Sequence, residues 1–178
     1  MRTNWRLGSL LGIPLYIDSS WFLILAFVTL INATDAEIQS LAAQSFGLAW
    51  LLGLIMALLL FISVLLHELG HSLVARCQGI EVNSITLFLF GGMASIERES
   101  RTPPEALQVA IAGPVVSFLL FCLLSLASHL PYLNANLTYI CGELAIINLF
   151  VALFNLMPGL ALAGGQFLLA MVWQASGV

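Results

Sequence analysis

The sequence predicts a mainly α membrane protein, with four to five transmembrane helices and a small membrane-associated β-hairpin. Three observations carry that expectation. Of 178 residues, 61% are hydrophobic and only 8% are charged, whereas a soluble domain is nearer a quarter charged. Two uncharged runs, 46–66 and 106–127, hold 21 and 22 residues, enough to cross a hydrocarbon core. Between them, β-branched and aromatic residues dominate 85–90 and Gly91-Gly92 follows, the pattern of strand, turn and strand. The whole of 1–178 is expected to be one transmembrane domain.

In chain order, residues 1–20 read as an amphipathic segment, with Arg2 and Arg6 early and Trp5 and Tyr16 as interface aromatics. Gly12, Pro14 and Asp18 interrupt it and no A-x-A site follows, so it is not a signal peptide. The first span occupies 21–31. Its uncharged window, 19–34, holds 16 residues, so it is expected to borrow from 13–17 and to leave Asp18 near a polar interior. Residues 32–45 form a loop carrying Asp35 and Glu37. The second span starts at Phe46 and ends near Cys77-Gln78, with Gly79 as its stop. Sheet edges cannot face lipid, so the hairpin within 80–96 lies at the interface or inside the bundle.

Residues 97–105 are polar, with Arg98 and Arg101, and Pro103-Pro104 marks a helix start. The third span, 106–127, contains Gly113-Pro114, a kink or a close backbone approach. Residues 129–136 are a loop. The fourth span, 138–157, holds Glu143 and Asn148. Pro158, Gly159, Gly164 and Gly165 then interrupt the helical pattern, which resumes at 166–173. The glycosylation triplets at Asn32 and Asn136 are discounted as chance matches.

Five arginines are the only basic residues besides three histidines, which excludes a nucleic-acid partner. Arg2, Arg6, Arg76, Arg98 and Arg101 fall on one side if single crossings separate them, and the positive-inside tendency makes that side cytoplasmic. Cys77, Cys122 and Cys141 are widely spaced and form no CxxC pair, so they read as small apolar fillers.

The second span ends in His67-Glu68-Leu69-Gly70-His71. Ionisable groups at membrane depth point to function by default. Residues four apart share a helix face, so His67 and His71 can converge on one atom. This is the zinc signature H-E-x-x-H, in which Glu68 flanks the ion and accepts a proton from water. Two interfacial histidines and a glutamate facing headgroups would be the plain alternative.

These residues and several others resemble the site-2 protease family of intramembrane zinc metalloproteases. Gly12-Ile13-Pro14 leading to Ser20-Trp21-Phe22 is similar to the family's start, and His67 to His71 to its active helix. Phe90-Gly91-Gly92-Met93-Ala94 resembles its membrane-associated hairpin, and Ala112-Gly113-Pro114 its third helix. Asn155-Leu156-Met157-Pro158 matches the first half of its second motif. The second half departs: Ala163 stands where the family places an aspartate as third zinc ligand. The resemblance implies zinc as cofactor, His67 and His71 as ligands and Glu68 as the catalytic carboxylate. It also implies substrate contacts at Asn155, Pro158, Gly91 and Gly92, with a strand edge near 85–90 accepting the substrate. The implied reaction is cleavage of transmembrane segments of single-span membrane proteins within the lipid bilayer, with the site toward the cytoplasmic side. Ala163 makes an inactive chain part of that expectation. Two other readings stay open: a substrate-binding scaffold without chemistry, and a metal or proton transporter using the histidines as a relay.

Overall fold

The computed structural model describes residues 4–43, 45–89, 91–97, 100 and 102–156. The elements run β1 (Asn4–Leu10), β2 (Ile13–Asp18), α1 (Ser20–Thr34), α2 (Ala36–Leu41), α3 (Phe46–Cys77), β3 (Val82–Phe88), β4 (Gly91–Ile96), α4 (Pro103–Ser128) and α5 (Ala135–Leu156). The fold is thus mainly helical, as the sequence predicts. Three helices, α3, α4 and α5, are long and apolar enough to cross a membrane, and α1 is a shorter apolar helix. The segment 166–173, where the helical pattern is expected to resume, lies outside the described residues.

Residues 4–18 depart from expectation. They form a hairpin, not an amphipathic lead into the first span. Leu11 and Gly12 both have positive φ, 52° and 80°, the requirement of a two-residue primed turn. The register slips between Arg6 and Gly8, a bulge that hides the period-two pattern from the sequence. Residues 13–17 therefore belong to β2 and not to the first span. Asp18 closes β2, where its Oδ1 accepts from the Ser20 amide at 2.9 Å and the Ser20 hydroxyl at 2.6 Å, satisfying α1 at its start. The segment 32–45 contains α2, whose cap is Asp35: its Oδ1 accepts from Glu37 N and Ile38 N.

The hairpin predicted around 80–96 exists, within a larger sheet of order β1-β2-β3-β4. β2 and β3 are parallel, with Leu15, Tyr16 and Ile17 opposite Ile85, Thr86 and Leu87. Such pairing needs a crossover, here α1, α2 and α3. Two details of the prediction are corrected. Residues 85–87 lie in an interior strand, paired on both sides, so no free edge exists there; among the described residues the edge strands are β1 and β4. Gly91 and Gly92 open β4 opposite Phe88 and Leu87, and the turn precedes them.

α3 is the axis of the bundle, 32 residues long, or about 48 Å at 1.5 Å per residue. It stops as predicted: Gly79 has φ 71°, and Ile80 N donates to Ala75 O at 3.0 Å, a left-handed C-terminal closure. Arg76 Nη1 donates to Leu11 O at 2.6 Å, which ties this helix end to the β1–β2 turn. The sheet packs on the same end of α3 through Ile13, Leu69 and Ile85 and through Ile17, Trp21, Phe61 and Leu87. α4 starts at Thr102, whose hydroxyl accepts from Glu105 N, with Pro103 and Pro104 in the first turn.

Glycines set the helix spacing, as is common between membrane helices. A Cβ on Gly53 would stand 2.8 Å from both Ala33 N and Thr29 O of α1. Gly53→Ala gains about 1 kcal/mol of helix propensity but must push backbone away. The expected net effect is a loss of about 1–3 kcal/mol, read as a lower thermal midpoint in detergent.

Candidate metal centre

The histidine motif lies in the last third of α3, where α4 and β4 cover it. Gly70 makes this cover tight. A Cβ there would stand 2.9 Å from Ala112 O and 2.8 Å from Val116 Cγ2, so α4 approaches α3 closely only because position 70 has no side chain. That approach brings two α4 groups within reach of the imidazoles. His67 Nδ1 lies 2.8 Å from Ser117 Oγ, and His71 Nδ1 lies 2.6 Å from Val109 O.

These bonds fix the rings. A backbone carbonyl only accepts, so His71 carries its hydrogen on Nδ1 and leaves the Nε2 lone pair bare. A hydroxyl both donates and accepts, so Ser117 can take the Nδ1 hydrogen of His67 in the same way. The two Nε2 atoms then face each other at 3.2 Å, with ring planes at 77°. His67 is buried at 3% exposure, and Ser117 is fully enclosed.

Gly113 supplies the space in front of both rings. A Cβ there would stand 2.7 Å from His67 Nε2 and overlap His71 Nε2. Gly92 does the same for the third member of the motif. A Cβ on Gly92 would overlap Glu68 Cγ and stand 3.4 Å from Glu68 Oε1. Glu68 thus lies against the start of β4.

The donor set fits zinc as far as it goes. Two nitrogens each about 2.0–2.1 Å from a tetrahedral zinc lie about 3.3 Å apart, close to the spacing here. Both rings also carry the hydrogen-bonded Nδ1 that metal-ligating histidines show. Among the described residues no group of three His, Cys, Asp or Glu side chains surrounds a common point. Gly113→Ala is expected to displace both Nε2 atoms and to lower zinc affinity at least about 10-fold, the scale of a lost supporting contact, measured by competition with a chromogenic chelator.

The predicted site residues divide into three groups. His67 and His71 come together at their Nε2 atoms, and Glu68 meets Gly92. Gly91 stands beside them in β4, with Val64 Cγ1 3.9 Å from where its Cβ would be. Asn155 ends α5, and its Nδ2 donates to Val151 O of the same helix at 2.8 Å. Pro158 and Ala163 lie outside the described residues. Sequence reasoning missed Ser117, Val109 and the shared space at Gly113. Ser117 had a readable signal, a hydroxyl one turn beyond Gly113 in a largely apolar helix.

Comparison with known proteins adds the following. Peptidase family M50 matches residues 55–133. A Synechocystis protein, sll0528, provisionally named a zinc metalloprotease, is 56% identical over 99% of this chain and 46% of its own length. The zinc metalloprotease MJ0392 of Methanocaldococcus jannaschii is 32% identical over 99% of this chain and 48% of its own. The chain thus spans about half the length of the curated relatives it matches. The solved structure of a site-2 protease from M. jannaschii superposes with a TM-score of 0.71 at 31% identity, covering 97% of this chain and 73% of that one.

Proposed function

Because the chain belongs to the site-2 proteases, peptidase family M50, we propose that its histidine motif is the metal-binding half of an intramembrane peptidase. His67 and His71 hold zinc through Nε2, and Glu68 is the catalytic carboxylate. The observation that carries this reading is the pair of Nε2 atoms 3.2 Å apart, each on a ring anchored at Nδ1. Zinc bound there would polarise a peptide carbonyl and acidify water.

The chain's own residues do the rest. Ser117 and Val109 hold the imidazoles in place and aimed. Glu68, packed against Gly92, takes a proton from the attacking water and delivers it to the leaving amine. The free edge of β4 starts beside Glu68. A transmembrane substrate must leave its helix before its carbonyl can be attacked, and strand addition on that edge would satisfy the backbone it exposes. Single-span membrane proteins are the substrate class proposed. Asn155, Pro158 and Gly91 are proposed as further substrate contacts. Residues 1–178 are proposed as one core domain. The cytoplasmic side is assigned from the arginines: Arg76 and the β1–β2 turn share one end of the bundle, the end that holds the motif.

The test is zinc content. The purified chain titrated with zinc is expected to bind one ion per chain, and His67→Ala is expected to abolish that binding. Equal binding in both would exclude His67 as a ligand and remove the proposal. A transporter would instead show zinc flux into vesicles without cleavage of a single-span substrate.

A further inference from the structure

Below the metal centre, α3 and α5 meet through one buried polar pair. Asn148 Nδ2 donates to Ser63 Oγ at 3.1 Å and to Leu144 O of its own helix at 2.8 Å. Asn148 is 1% exposed and Ser63 7%. Among the described residues the Asn148 Oδ1 has no partner. An unpaired buried amide oxygen is costly, and leucine would fill this apolar surrounding without that cost. α5 otherwise runs mainly along α4 and touches α3 sparingly. Its apolar contact with α3 lies lower, where Leu52 and Met56 share a cluster with Ile140 and Leu144. Apolar side chains in such a seam tolerate sliding. A single buried asparagine is the device that fixes register between helices at a cost in stability.

The level of the pair gives the bond its meaning. α3 and α5 run in the same direction, since α4 returns between them and the contacts of α3 climb α5 in step, from Ile140 and Leu144 to Asn148. From Ser63, His67 lies one turn further and His71 two turns, about 6 and 12 Å at 1.5 Å per residue. From Asn148, Asn155 lies seven residues further, about 10.5 Å. With Asn148 bonded to Ser63, Asn155 therefore stands at the axial level between the two imidazoles. A slip of one turn, about 5.4 Å, would carry it past one of them.

We propose that Asn148 is a positioning residue: its bond to Ser63 sets the height of α5 against α3, so that Asn155 stands level with His67 and His71. The functional value of that height rests on the peptidase reading above; the register claim itself does not.

The experiment uses the full chain in lipid nanodiscs, with spin labels at the outward-facing positions Ile62 and Phe150 and electron–electron distance measurement. The reference chain is expected to give one narrow distance distribution. Ser63→Ala with Asn148→Leu removes both polar groups, which is near neutral for folding, and is expected to shift or broaden the distribution by at least ~1.5 Å, one residue's rise. Ser63→Thr keeps the hydroxyl and is expected to restore the narrow distribution when Asn148 is kept. Should the double variant fail to fold, Ser63→Ala alone must show the same displacement. An unchanged distribution in any folded variant lacking the pair overturns the proposal. A chain that binds no zinc would sink the peptidase reading and leave this distance result standing.

Discussion

Replacing Ala163 with aspartate is expected to raise zinc affinity by more than ~100-fold. A catalytic zinc takes about three protein ligands and keeps one open position, and the described residues bring only two imidazoles to the site. Alanine offers no donor atom, and position 163 is where the resemblance puts the acidic ligand. Losing a group that merely supports a ligand costs about 10–100-fold, so gaining a ligand outright should exceed that range. Competition titration with a chelator of known affinity reads the change directly. An aspartate at 163 that leaves affinity unaltered would mean that this position does not face the imidazoles, and the family's ligand set would not transfer to this chain.

The second large effect concerns Glu68. In the zinc-loaded Ala163→Asp chain, cleavage of a single-span substrate is expected, and Glu68→Gln should lower its rate by about 10²–10⁴-fold, the scale of positioned acid–base catalysis. Zinc affinity should stay the same, because the proposed ligands are the two Nε2 atoms and the carboxylate packs on Gly92. Glutamine has nearly the same shape, so it still fits the space left by the missing Cβ of Gly92. A parallel loss of zinc would recast Glu68 as a ligand. Cleavage that survives the substitution would remove it from proton transfer altogether.

What the sequence disclosed follows from what kind of signal each feature leaves. Residues 46–77 were legible because an uncharged run, a two-histidine spacing and a closing glycine all agree on one helix. The start of α4 was legible because two prolines can only open it. The β1–β2 hairpin was not, because its alternation is broken by the bulge after Arg6 and its residues are mostly apolar on both faces. The parallel pairing of Leu15 with Ile85 leaves no local trace, since the partner is three helices away. Glycines were the hardest residues to read. At Gly92 and Gly113 the function lies in what is missing, a volume that Glu68 and the imidazoles enter, and only neighbours in space reveal it. Ser117 stood in plain view as a hydroxyl one turn beyond Gly113, but its pairing with His67 fifty residues earlier did not.

The parallel pairing of β2 with β3 also imposes a parity rule on how the chain threads the bilayer. Two strands of one sheet must reside at the same face, so the polypeptide between Asp18 and Val82 has to traverse an even number of times. α3 makes one traverse, and α1 must make the other, although its 15 residues reach only about 22 Å of a hydrocarbon core about 30 Å thick. Thinning of the lipid around α1, or a dip of the headgroup zone to meet its ends, would close that gap. A local depression of that kind beside Trp21 would bring water and the sheet closer to mid-bilayer than elsewhere on the perimeter.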